Sequence, residues 1–164
     1  MRFDDPEIRE CLARSMILRL AALSPMGQPN IRCLWFVCQQ GRIYIFTANT
    51  SPMGRSISVH PDVALLFDGE RGTRSSRLLR VRGHAVFRRE SGIVARVMLG
   101  LARKYFLTRP GLRNLLAHAR TVPLAVRFYA EGWRSERGKE LRMIMEVLPE
   151  SFEFLPRTPA QAAS

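Results

Sequence analysis

The chain has 164 residues, 46% of them apolar, and carries 26 Lys and Arg against 14 Asp and Glu, a net charge of +12. That length favours one domain with a core of its own, and no run approaches the roughly 20 apolar residues of a membrane span. The opening "MRFDDPEIRECLARS" lacks the apolar stretch of a secretion signal, so a cytoplasmic protein with no membrane partner is expected.

The same opening stretch predicts a short helix, capped by Asp4 or Asp5, with Pro6 in its first turn. "ILRLAALS" predicts strand one and "PMGQP" its turn. "NIRCLWFVC" predicts strand two, "QQG" a second turn and "RIYIFT" strand three. "TANTSPMGRSISVHP", from Thr47 to Pro61, then turns the chain from strand to helix. Ser51 predicts the N-cap, Pro52 the first helical residue, and the helix runs to about His60.

"PDVALLFD" predicts strand four, "GERGTRSS" a polar loop and "RLLRVRGHAVF" a long strand five. Alternation puts Leu79, Val81, Ala85 and Phe87 on one face of strand five and Arg80, Arg82 and His84 on the other. From Glu90 to about Arg120 the apolar period changes to four, through Ile93, Val97, Leu101 and Tyr105, which predicts helix. "TRPG" at Thr108–Gly111 breaks that helical stretch, and "VPLAVRFYAEG" adds a turn or two. "KELRMIMEVLP" predicts strand six, with Leu141, Met143, Met145 and Val147 on one face, and "SFEFLP" extends or augments the sheet. The tail from Pro156 reads as disordered, leaving a single domain over residues 1–155. Six short antiparallel strands with one inserted helix predict a mainly-β, α+β barrel, one side of it covered by helices from the C-terminal half.

Charge is localised. Arg74 to Arg142 holds 17 Lys and Arg against 4 Glu, a surface that attracts anions such as nucleotides, nucleic acid or acidic lipid. Stacking aromatics interleaved with those bases would mark a nucleic-acid binder. Only Tyr105, Phe106, Phe128, Tyr129 and Trp133 qualify, mostly among apolar neighbours, so nucleic acid ranks last among the partners. Cys11, Cys33 and Cys38 match no zinc spacing and read as buried reduced thiols, with Cys33 and Cys38 facing opposite ways. His60, His84 and His118 are scattered and join no nucleophile or second ligand, so neither a metal centre nor a catalytic triad is expected.

Several pieces occur in order: "GQP" at Gly27–Pro29, "LWF" at Leu34–Phe36, Thr47 with Ser51, "HPDVALLF" at His60–Phe67 and "VRGHA" at Val81–Ala85. Together they resemble the pyridoxamine 5'-phosphate oxidase-like, FMN-binding split-barrel superfamily. The resemblance covers about half the chain. It implies a six-stranded antiparallel split barrel that dimerises, with FMN bound at the interface of the homodimer. It also implies that Arg32 at the start of strand two directs the phosphate, that Thr47 and Ser51 supply hydroxyls, and that strand two, with Trp35, lines the flavin ring. The N–H groups near Met53 and Gly54 would complete the cradle. Where members carry basic residues, this chain has Val37, Pro52 and Met53. Arg55, or Arg80 and Arg82, are the available replacements.

Three functions remain open on these residues. One is a flavin- or deazaflavin-binding oxidoreductase of unspecified substrate. Another is a haem-binding or haem-handling protein on the same fold, and the last is a non-catalytic basic protein that binds nucleic acid. Ser51 reads equally as a plain helix cap, and Trp35 as core or as flavin wall. No residue stands out as a catalytic acid or base, and an empty cofactor site stays among the alternatives.

Overall fold

The structure is a computed structural model that describes residues 2–47, 51–68, 77–107 and 143–156. In chain order its elements are α1 (Pro6–Arg14), β1 (Leu18–Leu23), β2 (Pro29–Leu34), β3 (Phe36–Gln39) and β4 (Arg42–Thr47). They continue with α2 (Pro52–Val59), β5 (Asp62–Phe67), β6 (Arg77–Arg88), α3 (Ser91–Phe106) and β7 (Met143–Pro156). The strands form one antiparallel sheet in the order β2-β1-β5-β6-β7-β4-β3. Its two edge strands are consecutive in the chain and only Trp35 separates them.

That break corrects the expected strand count. The single strand expected over "NIRCLWFVC" is two strands, so the described residues hold seven rather than six. Phe36, the first residue of edge strand β3, donates its N–H to the Tyr105 hydroxyl at 3.0 Å. A backbone donor satisfied by a side chain lets the chain change sheet edge without an orphaned polar group.

Local chemistry fixes the other elements. Asp5 Oδ1 accepts from Glu7 N–H at 3.2 Å and Pro6 opens α1, which buries Ile8 and Leu12. Gln40 and Gly41, both at positive φ (51° and 72°), make the two-residue hairpin between β3 and β4. In β6 the register slips between Arg82 and Gly83. A Cβ on Gly83 would sit 2.2 Å from the Leu148 carbonyl oxygen, so this close crossing of β6 and β7 admits only glycine.

The barrel core takes Leu18 and Leu20 from β1, Ile43 and Ile45 from β4, Leu65 and Phe67 from β5, Leu79 and Val81 from β6, and Met145 and Val147 from β7. Ala85 and Phe87 join them, as alternation predicted for strand five. Ile57 and Met53 of α2 pack into the same cluster. A second cluster lies on the other side of the sheet, where Val97, Leu101 and Tyr105 of α3 meet Val37, Tyr44 and Ile144. The four-residue step expected from Ile93 to Tyr105 is the packing stripe of α3.

The two segments expected as strand six and its extension are one 14-residue strand, β7. Leu141, the "TRPG" break and the further helical turns expected up to Gly132 lie outside the described residues. So does the expected tail beyond Pro156, which itself ends β7.

Candidate functional site

A cavity of about 450 Å³ opens between the β2–β3 break, the end of β4 and the second half of α3. Its lining is Cys33, Leu34, Trp35, Phe46, Met98, Leu101, Ala102, Tyr105 and Phe106. Trp35 is not core: it is 39% exposed and stacks on Tyr105, with ring centroids 4.8 Å apart and planes 15° from parallel. The Tyr105 hydroxyl donates to Met16 C=O at 2.6 Å while accepting from Phe36 N–H, so the ring beneath Trp35 is fixed at its far end. Burial pushes the Tyr105 phenol well above its ordinary range, so it stays protonated near neutrality.

Phe46 faces this cavity, and the next residue, Thr47, ends β4. Thr47 Oγ1 lies 3.4 Å from Ser51 Oγ, the N-cap of α2. Ser51 Oγ accepts from Gly54 N–H at 3.0 Å, and Ser51 C=O accepts from Arg55 N–H at 2.9 Å. Pro52 has no N–H, so the Met53 N–H is the first-turn donor that Ser51 does not take up. Thr47, Ser51 and Gly54 thus form one contact group, with Arg55 exposed at the next residue of α2.

Arg32 lies exposed on edge strand β2, opposite Leu20 of β1. It shares a strand face with Asn30, whose Nδ2 donates to Ser56 Oγ of α2 at 3.5 Å. Arg32 therefore stands on the face of β2 that meets α2.

The positions where the resemblance puts lysines are accounted for by packing. Met53 is 3% exposed in the barrel core, and Val37 is 8% exposed beneath α3. A lysine at either position would bury an ammonium. Cys33 corrects another expectation, because it is exposed at the cavity instead of buried. Cys38 packs against the barrel core, where burial pushes its thiol up to about 12. Cys11, half-buried against the same core, is also pushed up by burial.

One charged cluster was missed at the level of sequence. Glu146, 1% exposed on the α3 side of β7, receives Arg42 Nη1 on one carboxylate oxygen and Arg88 Nε on the other. Tyr44 Oη donates to the first of these at 3.2 Å. Burial pushes the carboxyl up, but the two guanidinium hydrogen bonds outweigh it and hold Glu146 below its ordinary value. The only signal was an acidic residue between Met145 and Val147 in an alternating strand, which reads as solvent-facing. Among the described residues no group of His, Cys, Asp and Glu gathers as metal ligands. No described helix is long and apolar enough to cross a membrane.

The chemistry of the donor set suits a phosphorylated flavin. Aromatic and apolar walls suit a flat ring, and paired hydroxyls beside the same strand end suit a phosphate. A seven-stranded antiparallel sheet whose edge strands are one interrupted run of chain is a split barrel. Residues 4–155 match the family described as pyridoxamine 5'-phosphate oxidase, and the chain belongs to that family. It is 34% identical over 117 residues to a pyridoxine/pyridoxamine 5'-phosphate oxidase of Azorhizobium caulinodans, covering 70% of this chain and 50% of the relative. The chain thus spans about half the length of that relative. Among solved structures it is similar to an F420 reductase, with a TM-score of 0.60 and 21% identity over 88% of this chain and 94% of the other. It is similar too to HutZ, the heme storage protein of Vibrio cholerae, with a TM-score of 0.62 and 17% identity over 95% of each chain. These two likenesses bear on the fold.

Proposed function

We propose that the protein binds a phosphorylated flavin, FMN or a deazaflavin coenzyme, and acts as an oxidoreductase on a substrate the site does not specify. The observations that carry this reading are the aromatic cavity of Trp35 and Phe46 and the Thr47–Ser51 hydroxyl pair, both at the C-terminal end of β4. Trp35 and Phe46 would bound the ring, while Thr47 and Ser51 would bond the phosphate. Arg32 and Arg55 would neutralise it in place of the absent lysines. When bound, the flavin supplies the redox chemistry, and these residues orient the ring and exclude water. Family membership and the names of the Azorhizobium relative and the F420 reductase support the class. Burial of Val37 and Met53 weighs against the pyridoxamine phosphate oxidase reaction itself.

The same reading takes the protein as a homodimer with the sites at its interface. The outer face of β1 and β2 supports this, because it exposes Leu23 (45%) and Ile31 (63%). Free thiols at Cys11, Cys33 and Cys38 support a cytoplasmic setting.

Haem handling is the competing reading, favoured by the likeness to HutZ. Neither described histidine lines the cavity: His60 caps the end of α2, and His84 Nδ1 lies 3.1 Å from Asp62 Oδ1. The visible absorption spectrum of freshly purified protein decides between them. A flavin or deazaflavin band is expected, and a haem Soret band with no flavin uptake on titration would overturn the proposal.

A further inference from the structure

We propose that Tyr105 of α3 is a positioning residue of the ring site that acts through Trp35. This inference rests on the flavin reading above and extends it to a helix that the sequence marked by its four-residue apolar step. Trp35 is the one residue between β2 and β3, so strand pairing alone does not fix its side chain. What meets the indole is the Tyr105 ring, nearly parallel at 4.8 Å. That ring is itself held from both ends. Its α3 backbone packs on the sheet through Val97 and Leu101, and its hydroxyl ties Met16 C=O to Phe36 N–H.

Tyr105 therefore converts a residue at a chain break into a fixed wall of the cavity that both line. The arrangement separates two tasks. The hydroxyl stabilises the sheet break, and the ring orients Trp35. A phenylalanine preserves the second task and abolishes the first, whereas a leucine removes both.

The test is an FMN titration read by flavin fluorescence and by the visible circular dichroism that an asymmetric site induces in the bound ring. A Trp133→Phe background leaves Trp35 as the single tryptophan, because the chain has two. Tyr105→Phe is expected to keep FMN affinity and the bound-state spectrum while lowering thermal stability. Tyr105→Leu is expected to weaken FMN about two- to tenfold, the range for one aromatic pair, and to alter the induced dichroism. Iodide quenching of Trp35 emission should rise in Tyr105→Leu and not in Tyr105→Phe. Combining Trp35→Leu with Tyr105→Leu should cost no more affinity than Trp35→Leu alone.

Unchanged affinity and dichroism in Tyr105→Leu would overturn the inference while leaving the flavin reading standing. If Tyr105→Leu does not fold, Tyr105→Phe carries the test, and loss of affinity there would assign the effect to the hydroxyl clamp instead. Failure of the wild type to bind FMN would overturn the flavin reading and this inference with it.

Discussion

Tyr105 and Phe36, 69 positions apart, meet where the sheet is interrupted: the Tyr105 hydroxyl accepts the Phe36 N–H at 3.0 Å in a buried setting. The break at Trp35 is tolerable because this bond satisfies the Phe36 N–H where β3 begins. Tyr105→Phe leaves the Phe36 N–H and the Met16 carbonyl without that partner. It should lower unfolding free energy by about 1–3 kcal/mol, the cost of an unsatisfied buried polar group. Urea denaturation measures this, and a loss below about 0.5 kcal/mol would mean that water or a shifted backbone replaces the hydroxyl.

Gly83→Ala should be among the most damaging small substitutions, because the Leu148 oxygen facing the new methyl belongs to the backbone of β7 and cannot rotate away. A loss of about 1–3 kcal/mol or more is expected. Gly92→Ala is the contrast, since nothing lies within 4 Å of the added Cβ in α3. It should be neutral or stabilising by up to about 1 kcal/mol. Thermal melts of the two variants giving equal midpoints would contradict the close crossing of β6 and β7.

Glu146 ties acid sensitivity to one buried carboxylate. Its pKa is depressed in the folded state, so the unfolded chain binds the proton more readily. The stabilisation is present above the unfolded carboxyl value and is lost as pH falls through the folded one. Glu146→Gln should cost about 3 kcal/mol at pH 7, the low end for breaking a buried pair, because Arg42 and Arg88 both reach solvent. It should also flatten the decline in stability below about pH 4.5. A variant with the wild-type acid profile would remove Glu146 from this role.

Lys104 acts at the alkaline side. Burial lowers its amine to about 8, with Nζ 3.4 Å from the Phe36 ring centroid. The folded state therefore releases this proton before the unfolded chain does, and stability should rise by about 1 kcal/mol between pH 7 and 9. Above pH 9 the raised Cys38 thiol acts in the opposite sense, because the unfolded chain then loses a proton that the fold retains. A stability maximum near pH 9 follows. Lys104→Met should abolish the rise and raise the melting temperature at pH 7, and a profile that still climbs to pH 9 would refute the assignment.

The sequence allowed the barrel, α1, α2 and the packing stripe of α3 to be read because each rests on local signals. Asp5–Pro6 and Ser51–Pro52 mark helix starts, and alternation in "RLLRVRGHAVF" marks a half-buried strand. The break at Trp35 was hidden, because "NIRCLWFVC" is uniformly strand-like and what divides it is a tyrosine 70 residues away. Glu146 was hidden for a related reason. A charge on the outward face of a strand looks solvated unless one knows which helix covers that face and which strands lie beside it. The resemblance names Thr47, Ser51 and Trp35 as candidates, whereas the partnership of Trp35 with Tyr105 is a tertiary fact. Met53 and Val37 looked like lost ligands in the sequence, and the fold makes them core.

The proposed flavin site sets the ring beside Trp35 and the phosphate at Thr47 and Ser51, assisted by Arg32. Fluorescence titration of the wild type and Arg32→Ala with FMN tests it most directly, with riboflavin as the phosphate-free control. FMN should saturate the wild type and bind more tightly than riboflavin. Arg32→Ala should weaken FMN by about 1.5–3 kcal/mol, on the order of ten- to a hundredfold, and leave riboflavin nearly unchanged. No saturable binding of FMN or a deazaflavin up to about a millimolar, or equal affinity for FMN and riboflavin, would contradict the account and leave Ser51 as a helix cap alone.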